Sequence, residues 1–242
     1  MNAQFVKRYD SPASVARAVR HHYWLAANAA PMRQPRICGT AATSITFEHI
    51  AGRHARTGDL RAIAGLLGDA HGTAWDASLR HADLRAPHPV PGGCIGDYLT
   101  CRRAALRRRL EQGFLPGTAA LRAALALLEE TAAGTAAFYK DSNPRNFLIT
   151  GSQTIFVIDT DDVTLAPFGY DLAKLIVTLQ MTYGSVRPAA VTAALDAYNQ
   201  RAARHGQHHA TTLAQLDSFA ALHQVFNAPY AGRHGYRTGP AS

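Results

Sequence analysis

The sequence predicts an α+β fold in which a small N-terminal cap of short strands around one helix precedes a larger, mainly α-helical body. Three observations carry this expectation. The first fifty residues read strand, helix, strand, strand. Ala and Leu then recur at helical spacing through most of the chain, and a single β-type run ending in Asp159, Asp161 and Asp162 interrupts that pattern. With 242 residues the chain is long enough for one large domain, or for two unequal lobes around a sizeable core.

Each element has a local reason. Residues 4–9 alternate as a strand does and carry Lys7 in F-V-K-R-Y. Ser11 can cap a helix, Pro12 suits its first position, and Val15, Val19 and Tyr23 follow at a spacing of four, so a helix is predicted over 12–27. Pro31 and Pro35 break it. Residues 36–38 and 44–47 look like short strands about a Gly39-Thr40 turn, and Glu48 to Gly52 reads as a connector. Leu60, Ile63, Ala64, Leu67 and His71 share one helical face, with His71 before Gly72 read as a packing or capping histidine. Residues 80–93, rich in His, Pro and Gly, read as a loop. The basic helix that follows, with Arg102, Arg103 and Arg107 to Arg109, is either a solvated outer face or a docking face for an acidic substrate. Further helices are predicted over 118–133, 171–181, 188–205 and 213–226. The cluster His205, His208 and His209 reads as a polar loop rather than a metal site, and residues 228–242 as a flexible tail.

Composition excludes several classes. The formal charge is +8, carried almost wholly by arginine, since Lys7, Lys140 and Lys174 are the three lysines. Such a balance suits phosphate-rich or acidic partners, yet no recognition motif for nucleic acid accompanies it. Cys38, Cys94 and Cys101 are odd in number and widely spaced, which argues against a disulfide scaffold or zinc site and favours a reducing cytoplasm. No run approaches the roughly 18 apolar residues of a membrane span, and the first residues lack the apolar core of a signal peptide.

Residues 139–174 bear the chemistry: Y-K-D-S-N-P-R-N-F-L-I-T, then I-F-V-I-D-T-D-D, then F-G-Y-D-L-A-K. A lone acid, Asp141, stands before an amide, Asn146, and a strand then ends in acids. One group can orient a hydroxyl while an amide and a carboxylate hold Mg²⁺. The plainer alternative is an Asx-type turn around Pro144 with Asp159 as a cap.

These three blocks together resemble the aminoglycoside phosphotransferase (APH)-like and choline kinase-like family of the protein kinase fold. D-S-N-P-R-N is similar to its D-x-x-x-x-N catalytic loop, V-I-D-T-D-D to its metal-binding strand end, and G-Y-D-L-A-K to the start of the following helix. The resemblance implies a protein kinase-like, APH-type two-lobe fold with a shortened N-terminal β-lobe and hinge over 1–50 and a helical C-lobe over 51–227. It implies ATP and Mg²⁺ as cofactors. Asp141 would be the catalytic base, with Lys140 beside it in reach of a transferring phosphate. Asn146, Asp159 and, in support, Asp161 would hold the metal. Lys7 would reach the nucleotide phosphates, the Glu48 to Ile50 hinge would pair with adenine, and Asp171 would brace the catalytic loop from below.

Three departures shape the expected function. Tyr139-Lys140-Asp141 stands where the family has a histidine-led triplet. No acid lies between Asp10 and Glu48, so Lys7 lacks the glutamate that normally pairs with it, and the chain begins at the Lys7 strand, without the strands and glycine-rich loop that precede it. The expectation is a phosphotransferase acting on a hydroxyl of a small molecule, an amino sugar or other natural product, with activity that is reduced or assisted by a partner protein completing the N-lobe. The alternatives are a Ser/Thr peptide kinase of a peptide-modification pathway and a non-catalytic pseudokinase.

Overall fold

Ser11 opens the first helix as its sequence requires. In the computed structural model, which describes residues 3–206 and 210–239, its hydroxyl accepts the Ser14 N–H at 3.2 Å and Pro12 takes the first helical turn. Before that helix, α1 (Pro12–Asn28), runs β1 (Gln4–Arg8); after it come β2 (Ile37–Ala41) and β3 (Ser44–Glu48). The three strands form one antiparallel sheet in the order β1-β3-β2. The β2–β3 turn falls after Ala41 rather than at Gly39-Thr40. Gly39 lies inside β2, where the register shifts between Ile37 and Gly39, the use of a strand glycine as an irregularity instead of a turn. Val15 and Ala18 of α1 pack on Ile45 to make the small core of this lobe, while Trp24 and Leu25 farther along the same helix enter the main core. One helix therefore ties the two lobes together.

The second lobe starts with the short β4 (Arg53–His54) and α2 (Leu60–Ala74). α2 does not stop before Gly72; it runs on into a π-helical turn, Trp75–Leu79. Next come the hairpin β5 (His88–Val90) and β6 (Gly93–Ile95), α3 (Leu99–Glu111), α4 (Thr118–Thr131), β7 (Ala136–Tyr139), β8 (Phe147–Ile149), β9 (Ile155–Val157) and β10 (Thr164–Pro167). The helices α5 (Tyr170–Tyr183), α6 (Pro188–Ala202) and α7 (Leu213–Asn227) close the lobe. The β5–β6 hairpin replaces part of the loop expected over 80–93; Pro89 inside β5 masks it, because proline within a run reads as a break.

Two small sheets position the chemistry: β4-β8-β9, and β7 paired with β10 in a register that sets Tyr139 opposite Thr164. Beneath them α2 and α6 pack at very short range. A Cβ on Gly68 would lie 2.2 Å from the Tyr198 carbonyl oxygen, so glycine is what lets these helices meet. The expected flexible tail is packed where it is described. Ala228–Tyr230 forms a 3₁₀ turn, and Tyr236 is buried against Val177 and Met181. Of the histidine cluster, His208 and His209 lie outside the described residues, and His205 Nε2 sits 3.4 Å from Asp69 Oδ1. Among the described residues no helix is long and apolar enough to cross a membrane.

Candidate active site

β7 delivers the chain to Asp141, whose φ of 62° lies in the left-handed region; Asp159, with φ 59°, adopts the same conformation. Only four non-glycine residues among those described do so, and aspartate tolerates it better than most side chains. Such strain persists only where the surroundings hold it. Here the holder is Asp171 in the first turn of α5, fully buried: its Oδ2 accepts the Lys140 N–H at 3.2 Å and its Oδ1 the Ser142 N–H at 3.1 Å, as the sequence leads one to expect. Asp171 is itself approached by His71 Nε2 at 3.6 Å. His71, fully buried edge-on to Phe138, has its Nδ1 2.7 Å from the Tyr198 hydroxyl, which accepts the Gly169 N–H at 2.9 Å. His71 is thus a packing histidine, and its place is directly beneath the loop that carries Asp141.

The Asp141 carboxylate is half-exposed, and its Oδ2 accepts from the Asn143 amide at 3.4 Å. Oδ1 accepts from Lys174 Nζ at 3.0 Å and from the Tyr139 hydroxyl at 2.8 Å. Burial acts to raise its pKa, but the Lys174 charge and these hydrogen bonds outweigh it and bring the group down to about 2. Lys140 departs from expectation. The Tyr139 hydroxyl reaches Asp141, while the side chain of the intervening residue turns into the interior. Lys140 is buried, its Nζ stands 4.1 Å from the centre of the Phe147 ring, and it lines neither cavity described below. Its ammonium faces the interior rather than either cavity.

Between the lobes lies a cavity of about 490 Å³. Phe5, Phe47, Leu148 and Ile158 give it apolar walls, and Lys7, Asn146, Asp159 and Asp161 gather in it. Lys7 Nζ bonds to both Asp159 and Asp161, in place of the glutamate that α1 does not offer. Burial lowers the Lys7 pKa, yet the two carboxylates together leave it raised. Tyr9 donates its hydroxyl to Asp161 Oδ1 at 3.1 Å, and His21 Nδ1 lies 2.6 Å from the Asp161 carbonyl oxygen. Asn146 donates its amide to the Asp141 carbonyl at 2.8 Å, which leaves its side-chain oxygen available to a cation. Two carboxylates and an amide oxygen in one cleft are hard ligands of the kind Mg²⁺ takes, and their grip on an ammonium shows that this spot attracts positive charge. Among the described residues no group of three or more His, Cys, Asp or Glu is placed to hold a metal ion.

Glu48 and Ile50 both line this cavity. The Glu48 N–H is already donated to the Arg36 carbonyl at 2.9 Å and the His49 N–H to the Ala3 carbonyl at 3.0 Å. Among the described residues the Ile50 N–H has no such partner.

A second cavity, of about 730 Å³, is lined by Asp141 itself. Arg102, Arg109, Arg145 and Lys174 line it together with aromatic side chains such as Tyr139 and Tyr170. Arg102 is 5% exposed, packed with its guanidinium 4.5–4.8 Å from the ring centres of Tyr98, Tyr139 and Tyr170. The basic helix is therefore divided: Arg107 and Arg108 are exposed as a solvated face would be, whereas Arg102 points inward.

Sequence reasoning missed Lys174, Arg102 and the depth of His71. Arg102 was recoverable, because it falls on one face with Leu99 and Leu106. Lys174 stands one turn after Asp171 on α5, and that spacing points both to the same loop.

Known proteins agree with this architecture. The model of the phosphotransferase enzyme family matches residues 4–222, and the chain belongs to that family. An aminoglycoside-3'-phosphotransferase of type VIII superposes with a TM-score of 0.61 at 22% identity, over 92% of this chain and 84% of that one. An aminoglycoside phosphotransferase from Streptomyces rimosus, solved with ADP and streptomycin, gives 0.57 at 18% identity over 93% and 86%. A choline kinase from Streptococcus pneumoniae gives 0.62 at 12% identity over 94% and 76%. No curated protein matches the sequence. The fold is that of the APH and choline kinase group within the protein kinase fold, and the protein is a phosphotransferase.

Proposed function

We propose that the protein transfers the γ-phosphoryl group of ATP, with Mg²⁺, to a hydroxyl of a small molecule, an amino sugar or another natural product. One observation carries this reading: Asp141 lines an open cavity of polar and aromatic groups, and its carbonyl accepts the amide of Asn146, which lines the neighbouring cleft together with Lys7, Asp159 and Asp161. A fold neighbour holding ADP together with streptomycin supports a nucleotide and a hydroxylated acceptor in the same architecture.

Adenine would lie along the apolar walls, with the Ile50 N–H as the free hinge donor and Glu48 beside it. Lys7 would turn from the two carboxylates to the α- and β-phosphates, and Asn146 and Asp159, supported by Asp161, would hold Mg²⁺. Bound there, the metal neutralises phosphate charge as the bond to the leaving oxygen breaks. Asp141 would accept a hydrogen bond from the acceptor hydroxyl and take its proton as the oxygen bonds to the γ-phosphorus and ADP departs. With a pKa of about 2, Asp141 is ionised throughout the neutral range and a weak base, so it acts chiefly by orienting the hydroxyl and receives the proton late. Lys174 fixes the carboxylate. In this reading residues 1–50 are the nucleotide-covering lobe and 51–227 the lobe that holds acceptor and metal. The exposed, free thiols of Cys38, Cys94 and Cys101 suit the reducing cytoplasm, where ATP is supplied. The test is ADP formation from Mg-ATP across a panel of hydroxylated small molecules. Acceptor-dependent turnover that Asp141→Asn lowers by about 10²–10⁴ is the expected result, and turnover left unchanged by this substitution contradicts the assignment.

A further inference from the structure

The second cavity has an electrostatic character that the reaction alone does not require. Four fixed cations, Arg102, Arg109, Arg145 and Lys174, face two carboxylates, Asp141 and Asp162. The carboxylates do little to cancel them. Asp141 is taken by Lys174, and Asp162, with a side chain 76% exposed, pairs outward with Arg17 at 3.0 Å.

None of the three arginines has a carboxylate partner among the described residues. Arg102 donates to the Tyr170 hydroxyl at 3.0 Å, the Tyr98 carbonyl at 2.8 Å and Thr164 Oγ1 at 3.2 Å, all neutral acceptors. Arg109 donates to the Phe226 carbonyl at 2.8 Å, and Arg145 to the His234 carbonyl. Each guanidinium also lies over aromatic rings: Arg102 as described, Arg109 over Tyr230 at 5.9 Å and Arg145 over Tyr236 at 4.5 Å. The charges are thereby held in place rather than left to swing in solvent. Keeping a guanidinium as buried as Arg102 without a counter-charge is unfavourable for the fold, and an anion entering the cavity relieves it. The nucleotide phosphates do not account for this field, because none of the three arginines lines the cleft that holds Lys7 and Asp159.

We propose that the acceptor is an acid: a hydroxylated small molecule bearing an oxyanion, carboxylate or phosphate ester, that seats against Arg102, Arg109 and Arg145 while its hydroxyl meets Asp141. The inference rests on the phosphotransferase reading above and narrows it. A polycationic amino sugar would meet three like charges without carboxylate partners in this cavity, whereas an acidic sugar or hydroxy acid would be drawn in and oriented. Bidentate capture by an arginine at the cavity rim would fix the distance between oxyanion and hydroxyl, which is the selectivity the wall provides.

The experiment uses the full chain loaded with Mg²⁺ and a non-hydrolysable ATP analogue. Calorimetry measures binding of matched sets that differ only in charge: glucose, glucosamine, glucuronate and glucose 6-phosphate, with an equivalent set built on hydroxylated aromatic acids and their amides and amines. Acidic members are expected to bind about tenfold or more tightly than their neutral and amino counterparts, with an advantage that shrinks as salt is added. Arg109→Glu and Arg145→Glu, both nearer the rim than Arg102, should each remove that preference. Carboxylate and phosphate arms separate the two oxyanion sources. Tighter binding of the amino members, equal binding across a set, or no binding by any acidic member overturns the proposal. Failure of the nucleotide analogue itself to bind refutes the phosphotransferase reading instead, so the two failures are distinguishable.

Discussion

Lys174 sets the charge state of Asp141, and a pH experiment reads this directly. The Asp141 carboxyl lies at about 2 against an ordinary 3.8, so the stability it contributes is complete above pH 3.8 and is lost as the pH falls through about 2. Removing the cation in Lys174→Met lets Asp141 titrate higher. The acid limb of kcat/KM should then move to higher pH, and acid unfolding should begin at higher pH as well. An acid limb that stays in place would show that the pair does not govern the base. In Asp141→Asn the hydroxyl keeps an amide oxygen but loses the anionic oxygen that takes its proton, and kcat is expected to fall by about 10²–10⁴ while the nucleotide-induced rise in melting temperature remains. Sequence alone singled out Asp141 through its spacing to Asn146. It could not place Lys140, because which side of an extended segment faces the cleft depends on the strand partner, and Lys140 belongs to the buried side.

At the scale of elements, the catalytic loop is only as firm as the helices beneath it. Asp171→Ala leaves the Lys140 and Ser142 amides without their acceptor, each at a cost of about 1–3 kcal/mol, and denaturant unfolding should register the loss together with reduced turnover. Gly68→Ala tests the α2–α6 contact. The added methyl would fall 2.2 Å from the Tyr198 carbonyl, so a loss of about 1–3 kcal/mol is expected, and a neutral result would mean that the helices separate freely. Helix starts were legible where capping residues announced them, as Ser11 and Pro12 do for α1. The end of α2 was not. Gly72 has the look of a terminator, yet a Cβ placed on it would lie 3.0 Å from the Ala202 carbonyl oxygen, so the glycine serves packing between helices distant in sequence. Arg102 was hidden for a related reason, since five arginines in one helix suggest solvent and only their phase relative to Leu99 and Leu106 separates the buried one.

Across the whole molecule, the order of motifs made the two-lobe phosphotransferase fold legible, because three short blocks stand in the family's order within residues 139–174. The electrostatics of each cavity were not legible, since they come from pairings that span the chain. Lys7 finds its carboxylate 152 residues away, and the arginines of the acceptor side come from α3 and from the segment after Asn143. The account stands on the cleft between the lobes being a magnesium-nucleotide site, and the most direct measurement is the thermal unfolding of the protein with ATP, with and without Mg²⁺, compared with Asp159→Ala. The account predicts a rise in melting temperature that requires both the metal and Asp159. No rise, or one that persists without Mg²⁺ and in Asp159→Ala, would contradict it.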